Sequence, residues 1–245
     1  MTATTSAAAL EIRAVTKCYG ELKAVQNVSF TVETGIFGLL GANGAGKSTL
    51  LKSILGVIPI DRGEVLVCGR KNTIFRQSYE AKRLIGYLPE ELRLYERLTG
   101  REFLEFVAGL KDKATEADID EGLDYFGMTP KQHVLIEEYS HGMRKKIGII
   151  AALLGKPPLI LLDEPLNGLD AESMRRLRLK IEALTQEGVT VVLSSHIMGF
   201  VERVCQRIAI IKKGELVQLG TPAEVRAASG LHDEPFDDVF LHFAL

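Results

Sequence analysis

The nonapeptide Gly41-Ala42-Asn43-Gly44-Ala45-Gly46-Lys47-Ser48-Thr49 has the spacing G-x-x-x-x-G-K-[ST]. Glycines in this pattern permit positive φ and let successive backbone N–H groups turn inward around an anion. A helix beginning near Lys47 adds the positive end of its dipole. The Lys47 ammonium then reaches the β- and γ-phosphates of a nucleotide, and the Ser48 hydroxyl is a ligand for Mg²⁺. A second stretch, Leu159-Ile160-Leu161-Leu162-Asp163-Glu164-Pro165, closes an apolar run with two adjacent carboxylates. Ligands of open α/β sheets sit at the carboxyl ends of the strands. Asp163 is therefore expected to hold Mg²⁺ through water, and Glu164 to orient or deprotonate a water for attack on the γ-phosphate. As a bland alternative, the pair caps the next helix.

Both stretches need a strand in front and a helix behind. Ile36–Leu40 precedes the glycine loop, and Leu50, Leu51, Ile54 and Leu55 follow it at helical spacing. Further strands are expected at Leu10–Val15, Val25–Val32, Glu64–Cys68, Leu84–Leu88, Val189–Ser194 and Arg207–Lys212, with Gly214–Leu219 as a hairpin arm. Ala171–Glu187 reads as a helix with Met174, Leu177, Ile181 and Leu184 on one face and Gly188 as its stop. The alternation predicts a largely parallel sheet wrapped by helices. From Glu90 to about Leu154 the pattern turns helical, with a cap at Thr99 and an amphipathic segment at Ala114–Phe126, as an insertion. The expected division is 10–89 with 156–230 as the nucleotide-binding core, 90–155 as the helical subdomain and 231–245 as a helical tail. Phe236, Val239, Phe240 and Phe243 fall on one helical stripe, packed on the chain's own core or, alternatively, on a partner.

A chain of 245 residues with 46% hydrophobic residues can bury a substantial core without staples. A net charge of −2 and the lack of a long basic stretch argue against a nucleic-acid binder. Three scattered cysteines without C-x-x-C are expected to be reduced and mostly buried, and the histidines offer no zinc spacing with them. No apolar run approaches the roughly 18 residues of a membrane span. Met1–Ala9 lacks the charged and apolar regions of a secretion signal and is expected to fray.

Upstream of Asp163 lies Tyr139-Ser140-His141-Gly142-Met143, followed by Arg144-Lys145-Lys146 and an apolar helical run. Ser140 is a good N-cap, and the helix behind it offers N–H donors to an anion. In this combination of motifs the chain resembles the nucleotide-binding subunit of an ATP-binding cassette (ABC) transporter, from about Leu10 to Phe240. The resemblance implies a P-loop NTPase (RecA-like) α/β fold: a mostly parallel sheet, an antiparallel β part and an inserted α-helical subdomain. It implies ATP and Mg²⁺ as cofactors, and ATP bound between two chains closing head to tail. Ser140 and Gly142 then face the γ-phosphate held by the other chain, and Tyr19 stacks on adenine. His196 contacts the γ-phosphate, and Asp170, in Asn167-Gly168-Leu169-Asp170, communicates across the dimer. Asp170 also reads as a plain N-cap, and both roles are compatible.

Three departures from the family pattern stand out. Glu90 replaces a glutamine, which keeps a ligand for Mg²⁺ but adds a third carboxylate. His141 and Met143 replace a glycine and a glutamine, so contact across the dimer must lean on Ser140 and backbone N–H groups. The turn Glu33-Thr34-Gly35-Ile36 is one residue short. Tyr-Ser-x-Gly-Met, the Leu88-Pro89-Glu90 loop and the ending Phe236–Phe240 resemble ABC-2-type exporters. The resemblance implies a peripheral protein on the cytoplasmic face of the inner membrane. Its partners would be a second or paralogous ATP-binding subunit and integral membrane permease subunits, docked near Leu92, Leu94 and Tyr95. The alternative is a soluble ATPase of the same class acting on nucleic acid or ribosomes.

Overall fold

The computed structural model describes residues 8–72, 79–111 and 113–244. Most of the Met1–Ala9 segment, expected to fray, lies outside the described residues. The chain opens with an antiparallel pair, β1 (Leu10–Tyr19) and β2 (Leu22–Val32). It then crosses to β3 (Gly35–Leu40), passes through the glycine loop into α1 (Lys47–Leu55), and returns as β4 (Arg62–Val67) and the short β5 (Arg70–Lys71). A single turn, α2 (Tyr79–Lys82), leads to β6 (Ile85–Leu88).

Three helices come next: α3 (Gly100–Gly109), α4 (Glu116–Tyr125) and α5 (His141–Leu153). The chain rejoins the sheet at β7 (Leu159–Leu162), runs along α6 (Ala171–Gln186) to β8 (Thr190–Ser194), and passes α7 (Met198–Val204). The hairpin β9 (Arg207–Lys212) and β10 (Glu215–Gly220) precedes α8 (Pro222–Ser229) and α9 (Phe236–Ala244).

Two sheets result. The antiparallel one has the order β2-β1-β4-β5; the larger has the order β10-β9-β3-β8-β7-β6 and is parallel from β9 through β6. Its central strands are predominantly apolar because both faces are covered: all of β7 and β8 is buried, the polar ends Thr190 and Ser194 included. One core packs α1 between the two sheets, where the Phe30 and Phe37 rings stack 5.2 Å apart. The other lies between the large sheet and α3 to α9.

Element positions agree with the alternation of sequence patterns, with differences at the ends. β1 is longer than Leu10–Val15, because pairing with both β2 and β4 carries it through three irregularities to Tyr19. The 90–154 stretch is helical only in part: 90–98 is irregular, and two 3₁₀ turns, Thr129–Lys131 and Ile136–Glu138, join α4 to α5. The cysteines are less sequestered than expected, since only Cys205 is buried while Cys18 and Cys68 are half-buried. The tail stripe packs inward: Phe236 and Val239 are buried, with Phe240 and Phe243 half-buried against the same core.

Leu92 and Leu94 are likewise half-buried on that core. Of the loop's apolar residues only Tyr95 is exposed, with its ring edge-on to Phe106 at 5.5 Å.

Candidate functional site

The glycine loop is framed by the buried strand β3 and by α1, which starts at Lys47 with Gly46 as its cap at φ 109°. Having no side chain, Gly46 leaves the first N–H groups of α1 unclaimed by a cap, and therefore open to an anion. A Cβ at Gly46 would run into the carbonyl of Ala24. Ala45 braces the loop from beneath: it is 7% exposed, its N–H donates to Ala42 O at 3.0 Å, and its carbonyl accepts from Gly214 N–H at 2.8 Å. The Lys47 ammonium donates to the carbonyls of Gly41 (2.6 Å) and Ala42 (3.3 Å), so the side chain lies folded over the loop. Asn43, Gly44, Gly46, Lys47, Ser48 and Thr49 all line one cavity of about 600 Å³.

Asp163, Glu164 and Glu90 line the same cavity. Leu88 of β6 pairs with Leu162 of β7, and Asp163 N–H donates to Leu88 O at 2.9 Å, which brings the ends of both strands together. Asp163 is buried and accepts from the Ser194 hydroxyl at 2.6 Å. The same hydroxyl oxygen accepts from Glu164 N–H at 2.8 Å, so the last residue of β8 fixes both acids. Glu164 has φ +46°, a left-handed conformation uncommon outside glycine, and such backbone clusters at functional sites. Its Oε2 lies 2.9 Å from Nδ1 of the exposed His196 ring, just beyond β8. The negative potential here is felt by Tyr87, whose phenol is pushed up to about 12, first by burial and then by the charges of Asp163 and Glu90.

Ser48, Asp163 and Glu90 are hard oxygen donors around this one cavity. Among the described residues no group of three His, Cys, Asp or Glu could hold a metal by itself. Such a donor set fits Mg²⁺, which takes one or two protein oxygens and completes its shell with phosphate and water.

Tyr19, at the end of β1, lines the mouth and is half exposed, with the Lys17 ammonium 5.3 Å from its ring centroid. Leu22, Lys23, Ala24, Lys213 and Gly214 complete the lining and were not singled out by sequence. They arrive on two hairpin tips, β1–β2 and β9–β10, tied together where Gln26 N–H donates to Gly214 O at 2.7 Å. The Lys213-Gly214 turn was legible as a turn, but nothing local places it beside the loop.

Ser140, Gly142 and Asp170 do not line this cavity. Ser140 caps α5 by accepting from Met143 N–H at 3.3 Å, and Asp170 caps α6 by accepting from Ser173 N–H at 2.7 Å. Backbone and hydroxyl bonds at that cap hold the Asp170 carboxyl below its usual value. Lys146 of α5 stands 3.7 Å from Asp170, which ties the two helix starts together. Between them the His141 ring lies directly over Gly168, at φ +79°, where a Cβ would collide with it. Met143 is half-buried against the helical core, as its apolar side chain requires.

Among the described residues no helix is long and apolar enough to cross a membrane. The family model described as "ABC transporter" matches residues 25–167. The linearmycin resistance ATP-binding protein LnrL of Bacillus subtilis (strain 168) is 38% identical over 225 residues, covering 90% of this chain and 72% of LnrL. A solved structure of an ATP-binding subunit of an ABC transporter superposes with a TM-score of 0.89 at 29% identity, covering 96% of this chain and 99% of the other. A dimeric structure of a post-hydrolysis ATP-binding cassette bound to ADP and Pi has the same fold, with a TM-score of 0.80 at 24% identity over 86% of this chain and 98% of that one. With the phosphate loop and the paired acids meeting in one cavity, these matches identify the chain as a member of the ABC transporter family, an ATP-binding ATPase of that family.

Proposed function

We propose that this ATPase powers a membrane transporter, and that its hydrolytic site is the cavity between the glycine loop and the ends of β6 and β7. The observation that carries this reading is the meeting of Lys47, Ser48, Glu90, Asp163 and Glu164 in that one cavity. Backbone N–H groups of residues 43–49 cradle the phosphates, and Lys47 exchanges its two carbonyl partners for phosphate oxygens. Bound Mg²⁺, held by Ser48, Asp163 and Glu90, supplies neutralisation of the phosphate charge. Glu164 orients and deprotonates the attacking water. His196, hydrogen-bonded to Glu164, stabilises charge on the γ-phosphate. Tyr19 stacks on the adenine at the mouth.

Ser140, Gly142 and Asp170 lie outside the cavity of their own chain and serve the site of a second or paralogous subunit closing head to tail. The core, 10–89 with 156–230, carries the cavity except for Glu90; the 90–155 helical subdomain carries Glu90 and Ser140. The exposed Tyr95 and Phe106 beside the irregular 90–98 segment form the surface for integral membrane permease subunits. The protein is then peripheral on the cytoplasmic face of the inner membrane. The resistance named for LnrL favours export.

Purification of the tagged chain from detergent-solubilised native membranes tests the transport reading. A polytopic membrane protein is expected with it. Recovery only from the soluble fraction with ribosomes or nucleic acid contradicts transport and leaves the ATPase chemistry standing.

A further inference from the structure

Lys145 is a charged side chain that the site described above does not use. It is 2% exposed, and lysines are almost never this buried unless their charge is answered. Its place follows from how α5 lies on the sheet. A Cβ on Gly86 would run into the carbonyl of Ala152, and one on Gly148 would meet Leu88 Cδ1 at 2.9 Å and Leu92 Cδ2 at 2.5 Å. The helix therefore runs along β6 with Ala152 at Gly86 and Gly148 at Leu88. Lys145, one turn earlier on the same face, stands beyond the end of β6, where Pro89 and Glu90 follow Leu88 and Asp163 follows Leu162.

We propose that Lys145 is a positioning residue of the hydrolytic site: its buried ammonium is the counter-charge that allows Glu90 to stand with Asp163 and Glu164, and it couples α5, which begins at Ser140, to those acids. The inference rests on the reading of Glu90, Asp163 and Glu164 as the acids of the hydrolytic site. Burial pushes the Lys145 ammonium down, and the charges of Asp163, Glu164 and Glu90 oppose that shift. Three carboxylates around one cavity repel one another and an entering polyphosphate. One buried cation offsets one of them. Because Lys145 is carried by the helix whose cap faces a neighbouring chain, any tilt of α5 changes the field at the acids.

The test is the ratio of ATP dissociation constants without and with Mg²⁺, measured by calorimetry on the full chain. Lys145→Met keeps the length of the side chain and removes its charge, so the ratio is expected to rise about tenfold, the scale for one unit charge several ångströms away at an intermediate dielectric. Lys145→Arg is expected to keep the natural ratio, and adding Glu90→Gln to Lys145→Met to return it to near the natural value. Thermal unfolding establishes that each variant is folded. A folded Lys145→Met with the natural ratio overturns the inference. So does a double variant no closer to natural than Lys145→Met alone, or a Lys145→Arg that behaves like Lys145→Met. If instead the natural chain binds Mg-ATP without hydrolysing it, the reading of the site itself fails, whatever the ratios.

Discussion

At the residue scale the site rests on Ser194, whose single hydroxyl donates to Asp163 and accepts from the backbone of Glu164. Asp163 is held at its carboxylate and Glu164 at its backbone, with the Glu164 carboxylate beside the His196 ring. Replacing Glu164 by Gln keeps the shape and removes the base, so kcat is expected to fall by about a hundredfold or more while ATP affinity stays within a few-fold. Steady-state hydrolysis and equilibrium binding on one preparation check this, and an unchanged kcat contradicts the assignment. Glu90 brings a third carboxylate to the cavity. Activity of the natural protein is accordingly expected to depend more steeply on Mg²⁺ than that of Glu90→Gln, and coincident Mg²⁺ titration curves contradict that role. Glu90 was read only through the family resemblance, and Ser194 was not singled out because its bonds span about 30 residues. The loop and the paired acids were legible in the sequence because they and their flanking strands are local patterns. Lys23 and Lys213 were not, because they reach the cavity only through pairing of hairpins distant in the chain.

At the element scale the parallel strands were readable as apolar runs, and α3 by its Thr99 capping box. The single-turn α2 and the seven-residue α7 carry too little periodicity to be read. Helical texture was expected from about Glu90 with Leu92, Leu94 and Tyr95 in a loop, and the 90–98 segment is irregular, with Leu92 and Leu94 half-buried against the core. One tie between helices also has no local signature. Lys111, just past α3, donates to the last carbonyls of α5 at Ala151 (2.8 Å), Ala152 (3.4 Å) and Leu154 (3.0 Å), at the negative end of its dipole. Burial pushes this ammonium from 10.5 down to about 8. Between those values the unfolded chain holds a proton that the folded chain has released, so stability contributed at this position rises with pH through that window. Denaturant unfolding of the natural protein and Lys111→Met below pH 8 and again midway up the window is expected to show the natural protein gaining on the variant. A constant difference contradicts the burial account.

At the scale of the whole molecule the expected site residues fall into two separate groups. The cavity holds the phosphate loop, the acids and Tyr19, whereas Ser140, Gly142 and Asp170 lie apart from it on the linked starts of α5 and α6. This separation was not legible from motif order, since Ser140 and Gly142 lie between the loop and the acids in sequence. The α5 N-terminus lies at the carboxyl end of β6, on the same edge of the sheet as the loop, yet Ser140 and Gly142 stay outside the lining of the cavity. Two chains are proposed to share each ATP. Sedimentation velocity of Glu164→Gln with Mg-ATP tests it most directly. The expected result is a dimer binding one ATP per chain, reverting to monomer without nucleotide or when Ser140→Ala is added. A monomer that binds ATP stoichiometrically and stays monomeric at every concentration contradicts it.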